Sequence, residues 1–390
     1  MKPKQKVGIV TLHHGNNYGA VYQAYALSNY IEGLGFEVCI IDYHMDAVNI
    51  SSYIMNPIMF IRKVLSKKAF TLSFLKGKRK YQEGQQRERH FSQVFNNFRD
   101  NFLNITDAKY SYNILSKSPP DVDFLITGSD QVWADDFFFS SPAYLLDFGN
   151  TKTKKISYAP SFGKSSLEPY LHNIFKENIS KFDNVSVREQ SGVNIVKAVA
   201  GVDAVKVLDP TLLLDSYLDI IDYALVPESP YIITYRLSQE NDLACWVTEC
   251  VNKIARAKGL DVYRVSTNSP ANSSDVGIDL EPTPGQLLGL IEKSSLMLTN
   301  SFHGTVFSIL FQVNFLCFAR DAFEDKQNLR MLELLGLVGL EKLFCQPFEI
   351  SDVIDEKMTH YIDWKNVELA LDNARLNSKG FLNQALGADY

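Results

Sequence analysis

A histidine in a short polar run is the strongest candidate for acid–base chemistry in this chain. His303 belongs to the run TNSFHGT at residues 299–305, which follows an apolar stretch typical of a buried strand. Imidazole gives and takes protons readily near neutral pH, so we predict a general acid or base here. Ser301, Gly304 and Thr305 stand at the start of a predicted helix, where hydroxyls and N–H groups can bind an oxyanion. The alternative is a histidine with only a structural role.

Two other strand ends carry charged side chains. Arg188 stands where a predicted strand gives way to a helix, and its planar guanidinium suits a carboxylate or a phosphate. The alternative is a pairing of Arg188 with Glu189 or with another acid. Asp130 belongs to the run GSDQVW and can accept hydrogen bonds from sugar hydroxyls or act as a base.

The neighbours of Asp130 suggest a binding surface. Gly128 and Ser129 are small enough for a ligand to approach the backbone, and Trp133 can stack on a sugar ring. The alternative is that Ser129 or Asp130 only caps a helix.

A glycine-rich turn, HHGNNYG at residues 13–19, precedes the first predicted helix. Such a turn presents backbone N–H groups to an anion, so we predict substrate-binding roles for Asn16, Asn17, Tyr18 and Gly19. The turn is neither a dinucleotide fingerprint nor a Walker loop. The alternative is a tight turn that needs Gly and Asn for positive φ.

These loops need strands and helices to position them, and the sequence alternates between the two. Lys6–Leu12 and Phe36–Tyr43 predict strands on either side of a helix at Ala20–Leu34, which makes a βαβ unit with parallel strands. A second alternation begins near Tyr231, after a turn-rich linker at Ser216–Pro230. The predicted fold is α/β, with two Rossmann-like doubly wound domains that face each other across a cleft. Ligands in such sheets bind at the carboxyl ends of the strands.

The predicted domains follow this division. Residues 1–215 form the first domain, with a basic helical insertion at about 52–105, and residues 216–363 form the second. Residues 364–390 predict a closing helix that packs back on the first domain.

The composition excludes several classes of protein. A chain of 390 residues with 46% hydrophobic residues and a net charge of −6 is neither disordered nor collagen-like, and its acidity argues against nucleic acid as a partner. The charge is uneven, because the segment Arg62–Arg99 carries +9 and the remainder −15. This segment also holds large apolar residues, which suits an anionic membrane surface. The alternative is a solvated helical insertion.

The five cysteines are scattered and form no CxxC pair, so we expect reduced thiols, a cytoplasmic protein and no metal site. The chain enters a strand-like run at once, so no signal peptide is predicted. Its apolar runs are too short to span a bilayer, although association with the inner face of the membrane fits the basic segment.

The same runs resemble the polysaccharide pyruvyltransferase family, in consistent order from about residue 5 to residue 340. The matching runs are KVGIVT at 6–11, NNYGAV at 16–21, QAYAL at 23–27, GSDQVW at 128–133, SVRE at 186–189, DPT at 209–211 and SFHGTVFS at 301–308.

The resemblance implies a glycosyltransferase-B-like fold and the transfer of pyruvate from phosphoenolpyruvate to a sugar as a cyclic ketal. Phosphoenolpyruvate would be a co-substrate, and no cofactor is implied. Arg188 matches the arginine that the family uses in the first half, and His303 matches the histidine of its Arg-x-His motif. Ser301 replaces the arginine of that motif, which implies either a different donor or another cation at the site, such as Arg236 or Arg320.

Two alternatives stay open at this point. The same fold would serve a glycosyltransferase with a nucleotide-sugar donor, and the loss of the arginine at Ser301 fits a non-catalytic sugar-binding relative. The acceptor sugar, and whether it is linked to a polyprenyl diphosphate, are also left open.

Overall fold

The computed structural model describes residues 3–44, 91–134, 142–237, 239, 241–265, 276–320 and 328–388. Two parallel sheets form the frame of these residues, one in each half of the chain.

The first sheet has the strand order β3-β2-β1-β4-β5-β6-β7, and all of its pairings are parallel. Its central strands are almost continuously apolar and buried, as expected for a sheet that helices cover on both faces. The strands are β1 (Lys6–Val10), β2 (Glu37–Tyr43), β3 (Ile105–Tyr110), β4 (Phe124–Thr127), β5 (Lys154–Ser157), β6 (Asn184–Val187) and β7 (Val205–Lys206). The helices are α1 (Tyr18–Gly33), α2 (Tyr112–Lys117), α3 (His172–Ile179) and α4 (Gln190–Ala200), and residues 91–102 are also helical.

The second sheet has the order β10-β9-β8-β11-β12-β13 and is also parallel. Its strands are β8 (Tyr231–Tyr235), β9 (Asp261–Val265), β10 (Ile278–Leu280), β11 (Leu296–Thr299), β12 (Phe315–Phe318) and β13 (Phe344–Cys345). Its helices are α5 (Asn241–Lys258), α6 (Pro284–Glu292), α7 (Phe302–Leu310), α8 (Leu329–Leu337) and α9 (Ser351–Met358), and α10 (Trp364–Leu386) follows. Among the described residues, short 3₁₀ helices lie at Pro142–Leu145, Pro169–Leu171, Pro210–Leu212 and Glu341–Leu343.

The two sheets share one strand order, the doubly wound order in which the connections reverse direction between the central strands. The reversal lies between β1 and β4 in the first sheet and between β8 and β11 in the second. The prediction of two Rossmann-like halves is therefore confirmed, and the loops at the carboxyl ends of these four strands are the places to look for a site.

The two halves share one hydrophobic core, which α1 joins to the second sheet. The Tyr22 ring lies 4.8 Å from the Phe307 ring of α7. The Tyr18 and Tyr22 hydroxyls donate to the carbonyls of Pro282 and Pro284, at 2.7 and 2.6 Å. Both hydrogen bonds therefore link the first half to the second.

Helix α10 lies against the first half, although it follows the second sheet in the chain. The Ser378 hydroxyl accepts a hydrogen bond from the Leu208 N–H at 2.9 Å, and Arg375 Nε donates to the Leu212 carbonyl at 2.8 Å. Leu382 of the same helix is fully buried.

Most of the basic segment Arg62–Arg99 lies outside the described residues, so its expected contact with a membrane stays a prediction. Its described end packs inward, because Phe91, Phe95 and Phe98 are buried. Arg99 is also buried and donates to the carbonyls of His13 and Gly15, at 3.0 and 3.3 Å. Among the described residues, no helix has both the length and the apolar composition that crossing a membrane requires.

The packing of α10 leads to a stability prediction. Leu382→Ala should lower the free energy of unfolding by about 2–5 kcal/mol, because it leaves a cavity in a packed core. Leu376→Ala is the matched control, since Leu376 lies on the same helix but is 69% exposed. The control should change stability by about 0.5 kcal/mol or less. Urea denaturation of both variants measures the difference, and equal midpoints would show that α10 does not belong to the cooperative core.

Candidate active site

Three strand ends that the sequence singles out meet at the junction of the two halves. Asp130 follows β4, Arg188 follows β6, and His303 begins α7 after β11. The carboxylate of Asp209 contacts residues of both halves. Its Oδ2 lies 2.8 Å from Arg188 Nη1, and its Oδ1 lies 3.7 Å from His303 Nε2. Residues of both halves therefore face the same buried position.

Arg188 is held in place by two carboxylates. Its Nη1 donates to Asp209 Oδ2 at 2.8 Å, and its Nε donates to Glu189 Oε1 at 3.1 Å. These acids raise the pKa of Arg188 above its ordinary value, although burial acts in the opposite direction. Its third nitrogen, Nη2, is buried and has no hydrogen-bond partner among the described residues. Arg188 thus pairs with Glu189, which was the alternative to a ligand-binding role. Its Nη2 is still available as a donor for a ligand.

Asp209 is the most heavily bonded group of the site. Its Oδ1 accepts from the Thr211 N–H and hydroxyl at 3.0 and 2.6 Å, and its Oδ2 accepts from Ser129 Oγ at 3.1 Å as well as from Arg188. Burial alone would raise the pKa of Asp209, but His303, Arg188 and Thr211 hold it well below its usual range. Asp209 is therefore a fixed negative charge. Asp209 belongs to the run DPT, which contributes to the family resemblance, but the sequence does not predict it as a site residue.

The His303 imidazole lies against the backbone of Gly19 at the start of α1. A Cβ atom added to Gly19 would lie 2.0 Å from His303 Nδ1, so only glycine leaves room for the ring. His303 Nε2 is buried and has no hydrogen-bond partner among the described residues, since its 3.7 Å distance to Asp209 is too long for one. This imidazole nitrogen is consequently available to exchange a proton with a substrate.

A second arginine, which the sequence analysis did not find, shares the site. Two guanidinium groups lie near the Phe302 ring, with Arg188 Cζ 5.1 Å and Arg330 Cζ 5.8 Å from its centroid. Burial and the charge of Arg188 lower the pKa of Arg330 to about 10. Arg330 Nε has no hydrogen-bond partner in the described part of the chain. Arg330 belongs to α8 and carries no motif, so only the folded chain reveals it.

Asp130 has a backbone conformation that only a few residue types adopt readily. Its φ is +75°, and its carboxylate accepts from the Gln131 N–H at 2.9 Å. The charge of Asp130 acts on Arg188, on Arg330 and on Tyr235 of the second half. Left-handed backbone at a non-glycine residue costs about 1 kcal/mol and is common at functional sites. The structure thus brings Asp130 near Arg188, as the sequence predicts.

The glycine-rich turn supports the site more than it lines it. Asn17 caps α1 by accepting from the Ala20 N–H at 3.4 Å, and Asn16 Nδ2 donates to Ser92 Oγ at 3.0 Å. Tyr18 is buried and donates across to the second half. Gly19 provides the space for His303.

Two predicted binding residues belong to the core. Trp133 is fully buried, its Nε1 donates to the Tyr144 carbonyl at 3.1 Å, and its ring packs on Phe162 and Phe175. It cannot stack on a sugar, which corrects that expectation. The Thr305 hydroxyl is also buried, bonded to the Ser301 carbonyl at 3.2 Å and to Met331 Sδ.

Small residues of the two other runs fix the loops. Gly128 packs on Thr11, and a Cβ there would lie 2.8 Å from the Thr11 Cβ. Ser129 positions Asp209. Ser301 caps α7, because its hydroxyl accepts from the Gly304 N–H at 3.3 Å. The Gly304 N–H is therefore used by the cap and not directed at a ligand.

The two arginines that the sequence analysis named as replacement cations differ in position. Arg236 donates to Thr248 Oγ1 at 3.1 Å and to the Ala244 carbonyl at 3.0 Å, so it is bonded to α5. The charge of Arg320 acts on Tyr235 and on Arg330, which places Arg320 near the site. Burial raises the pKa of Tyr235 to about 12, while Ser301 and Arg320 offset part of that increase.

The contact between Gly19 and His303 gives a direct test of this geometry. Gly19→Ala should displace the His303 ring and shift its imidazole NMR resonances, because the added Cβ cannot lie 2.0 Å from Nδ1. Gly33→Ala is the matched control, since no atom lies within 4 Å of a Cβ at that end of α1. The control should leave the His303 signals unchanged. His303→Gln assigns those signals, and identical His303 shifts in both alanine variants would contradict the contact.

The fold occurs in proteins of known structure. The UDP-GlcNAc 2-epimerase from Methanocaldococcus jannaschii is 11% identical in sequence to this chain and superposes on it with a TM-score of 0.51. The alignment covers 94% of this chain and 95% of the epimerase chain. The S. aureus MnaA-UDP co-structure is 10% identical, with a TM-score of 0.51 and coverages of 97% and 95%. The spinosyn forosaminyltransferase SpnP is 12% identical over 97% and 95%, with a TM-score of 0.47. At these identities the likeness shows the fold alone.

The sequence comparisons identify the family. None of the curated proteins compared with the chain matches it significantly. The sequence profile described as polysaccharide pyruvyl transferase matches residues 17–322, which include Gly19, Asp130, Arg188, Asp209 and His303. The resemblance noted in the sequence is therefore confirmed, and the chain belongs to the polysaccharide pyruvyl transferase family.

Proposed function

We propose that this protein transfers the pyruvyl group of phosphoenolpyruvate to two hydroxyls of a sugar, as a cyclic ketal, with release of phosphate. One observation carries the proposal. Three buried nitrogens around Phe302, namely Arg188 Nη2, Arg330 Nε and His303 Nε2, have no hydrogen-bond partner among the described residues. Buried nitrogens of this kind are costly unless a ligand binds them.

The charges of these groups fit a small dianion or trianion. Arg188 is compensated by Glu189 and Asp209, but Arg330 has its pKa lowered by burial and by the like charge of Arg188. A guanidinium next to another guanidinium is stabilised when an anion lies between or beside them. Phosphoenolpyruvate carries a carboxylate and a phosphate, so each can accept from one arginine.

The reaction needs one proton donor and two activated hydroxyls. His303 gives a proton to the methylene carbon, and the central carbon becomes electrophilic. The first sugar hydroxyl bonds to that carbon and gives its proton to Asp130, after which the carbon–oxygen bond to phosphate breaks. The second hydroxyl closes the ring, and its proton leaves with the phosphate. Positioning and charge stabilisation supply most of the acceleration.

Two acids support these steps in different ways. Asp209 lies 3.7 Å from His303 Nε2, so its carboxylate faces the imidazole and orients it. It does not contact the substrate in this scheme and is a positioning residue. Asp130 lies nearer the acceptor and orients or deprotonates the sugar hydroxyl, which agrees with its partial exposure.

The acceptor in this proposal is a precursor of a surface polysaccharide, linked to a lipid. The polysaccharide part follows from the family. The lipid part is supported only by the basic segment Arg62–Arg99, which would hold the protein at an anionic membrane.

The function can be tested by measuring phosphate release and product mass together. The protein is incubated with phosphoenolpyruvate and a panel of nitrophenyl and lipid-linked sugars. A ketal product gains the mass of pyruvate less water, and one phosphate appears per product. A parallel incubation with nucleotide sugars detects the rival activity, since a glycosyl transfer adds a hexose unit. Hexose addition without ketal formation would overturn the proposal, as would sugar binding without any product.

The roles of the donor and acid residues predict opposite kinetic effects. Arg330→Gln should raise KM for phosphoenolpyruvate by about 10- to 100-fold with little change in kcat, since a hydrogen bond to a charged group contributes about 1.5–3 kcal/mol. His303→Gln should lower kcat by about 100- to 10,000-fold while donor binding changes little. Steady-state kinetics and donor binding by calorimetry separate the two effects.

Arg256→Gln is the control, because Arg256 is an exposed arginine of α5, away from the three nitrogens. It should match the wild type in both constants. A His303→Gln protein that releases phosphate at the wild-type rate would remove His303 from the mechanism.

A further inference from the structure

A second cluster of polar side chains lies at the carboxyl ends of β1 and β2 and takes no part in the proposed reaction. Three imidazoles surround one carboxylate oxygen there. Asp42 Oδ1 lies 3.4 Å from His13 Nε2, 2.9 Å from His14 Nε2 and 3.1 Å from His44 Nε2. The ring centroids of His13 and His14 are 3.9 Å apart, and those of His14 and His44 are 4.2 Å apart.

We propose that His13, His14 and Asp42 bind a divalent transition metal of the zinc class, and that His44 supports the site through its contact with Asp42. The ligand atoms of the first three residues all lie within 4.8 Å of one another. Ligands of a tetrahedral zinc ion are about 2.0–2.1 Å from the metal and therefore about 3.3 Å from each other. The observed distances of 2.9–3.4 Å from Asp42 Oδ1 agree with that spacing.

The tautomer of His13 supports a cation at this position. His13 Nδ1 lies 2.9 Å from the Thr11 carbonyl, which can only accept, so Nδ1 carries the proton. His13 Nε2 faces Asp42 Oδ1 at 3.4 Å, and the space between these two atoms holds either a proton on Nε2 or a metal ion. A backbone carbonyl that fixes the second ring nitrogen is also the usual arrangement for a metal-binding histidine.

The backbone around the cluster is well anchored, as a preformed site requires. The Asp42 N–H donates to Thr106 Oγ1 at 3.0 Å, and the His44 N–H donates to the Tyr110 carbonyl of β3 at 2.8 Å. Arg99 holds the His13 carbonyl at 3.0 Å. His13 is buried, while the side chains of His14 and His44 are 41% and 46% exposed. A metal ion can therefore reach the site from solvent.

The chemistry of the ligands favours zinc over other common ions. Imidazole nitrogens suit zinc, copper and nickel, whereas magnesium and calcium prefer oxygen ligands. Arg99 interacts electrostatically with Asp42 and His14, and its positive charge opposes the binding of a cation. The Asp42 carboxylate and the imidazoles must together offset this repulsion. A bound metal would join the ends of β1 and β2 and hold the turn at residues 13–19, which leads to Gly19 and His303.

The test measures metal binding directly and needs no substrate. The full chain is treated with a chelator and titrated with Zn²⁺ by calorimetry, and its thermal unfolding is followed with and without Zn²⁺. We expect one zinc ion per chain and a higher Tm with zinc, because a ligand that binds the folded state stabilises it. The double variant His14→Ala, His44→Ala should lose more than about 100-fold in affinity, since even the loss of a residue behind a ligand costs 10- to 100-fold.

His360→Ala is the matched control, because His360 lies in the second half just after α9. It should bind zinc as the wild type does. Both substituted histidines of the double variant are half exposed, so it should fold, and its Tm without zinc checks this. The proposal is overturned if the wild type binds no zinc, or if the folded double variant binds it equally well. Neither outcome bears on the donor site, whose residues are distinct.

Discussion

The buried pair of Arg188 and Asp209 is the interaction on which the site depends. Both side chains are at most 3% exposed, and their closest atoms are 2.8 Å apart. Charges this deep are tolerated only when every remaining donor and acceptor is used. Asp209 meets that condition through Thr211, Ser129 and Arg188. Arg188 does not, because its Nη2 has no hydrogen-bond partner among the described residues, and a substrate can bind this donor.

This constraint also explains why the site requires both halves. Asp209 and Arg188 belong to the first half, whereas His303, Phe302 and Arg330 belong to the second. The halves are kept together by apolar contacts such as Tyr22 on Phe307. They are also linked by Lys206, whose ammonium lies 2.8 Å from Glu333 of α8. A rigid junction of this kind fixes His303 relative to Asp209 without a direct hydrogen bond between them.

Much of the frame could be predicted from the sequence, and the reason is burial. Strands such as β4 and β11 are short apolar runs covered on both faces, and such runs are easy to recognise. The edge strands β3, β10 and β13 are not predicted, because half-exposed residues such as those of β3 give no apolar pattern and β13 has only two residues. The four loops at the strand ends can be located from the sequence, because each follows a buried apolar run that is itself easy to recognise.

Within those loops, the sequence could not separate contact with a ligand from support of the site. Trp133 and Thr305 have residue types suited to a sugar, yet their loops turn them into the core. Asp130 and Arg188 have equally suitable types, and their loops turn them toward the junction. The difference arises from backbone geometry, such as the positive φ of Asp130, which no residue pattern in the run GSDQVW specifies. The sequence does not indicate Arg330, because α8 carries no functional motif. Only the packing of α8 brings this side chain to Phe302.

Arg330 bears on the departure at Ser301. The family resemblance implies an arginine two residues before His303, but here that position is Ser301, which caps α7 and whose hydroxyl accepts from the Gly304 N–H. Arg330 supplies a guanidinium at this place, because α8 brings its Cζ to 5.8 Å from the Phe302 centroid, while Arg188 Cζ lies 5.1 Å from the same centroid. The site therefore keeps two arginines and one histidine although the motif has lost its arginine. The positive charge that an anionic donor needs depends on where side chains converge in space and not on their spacing in one loop.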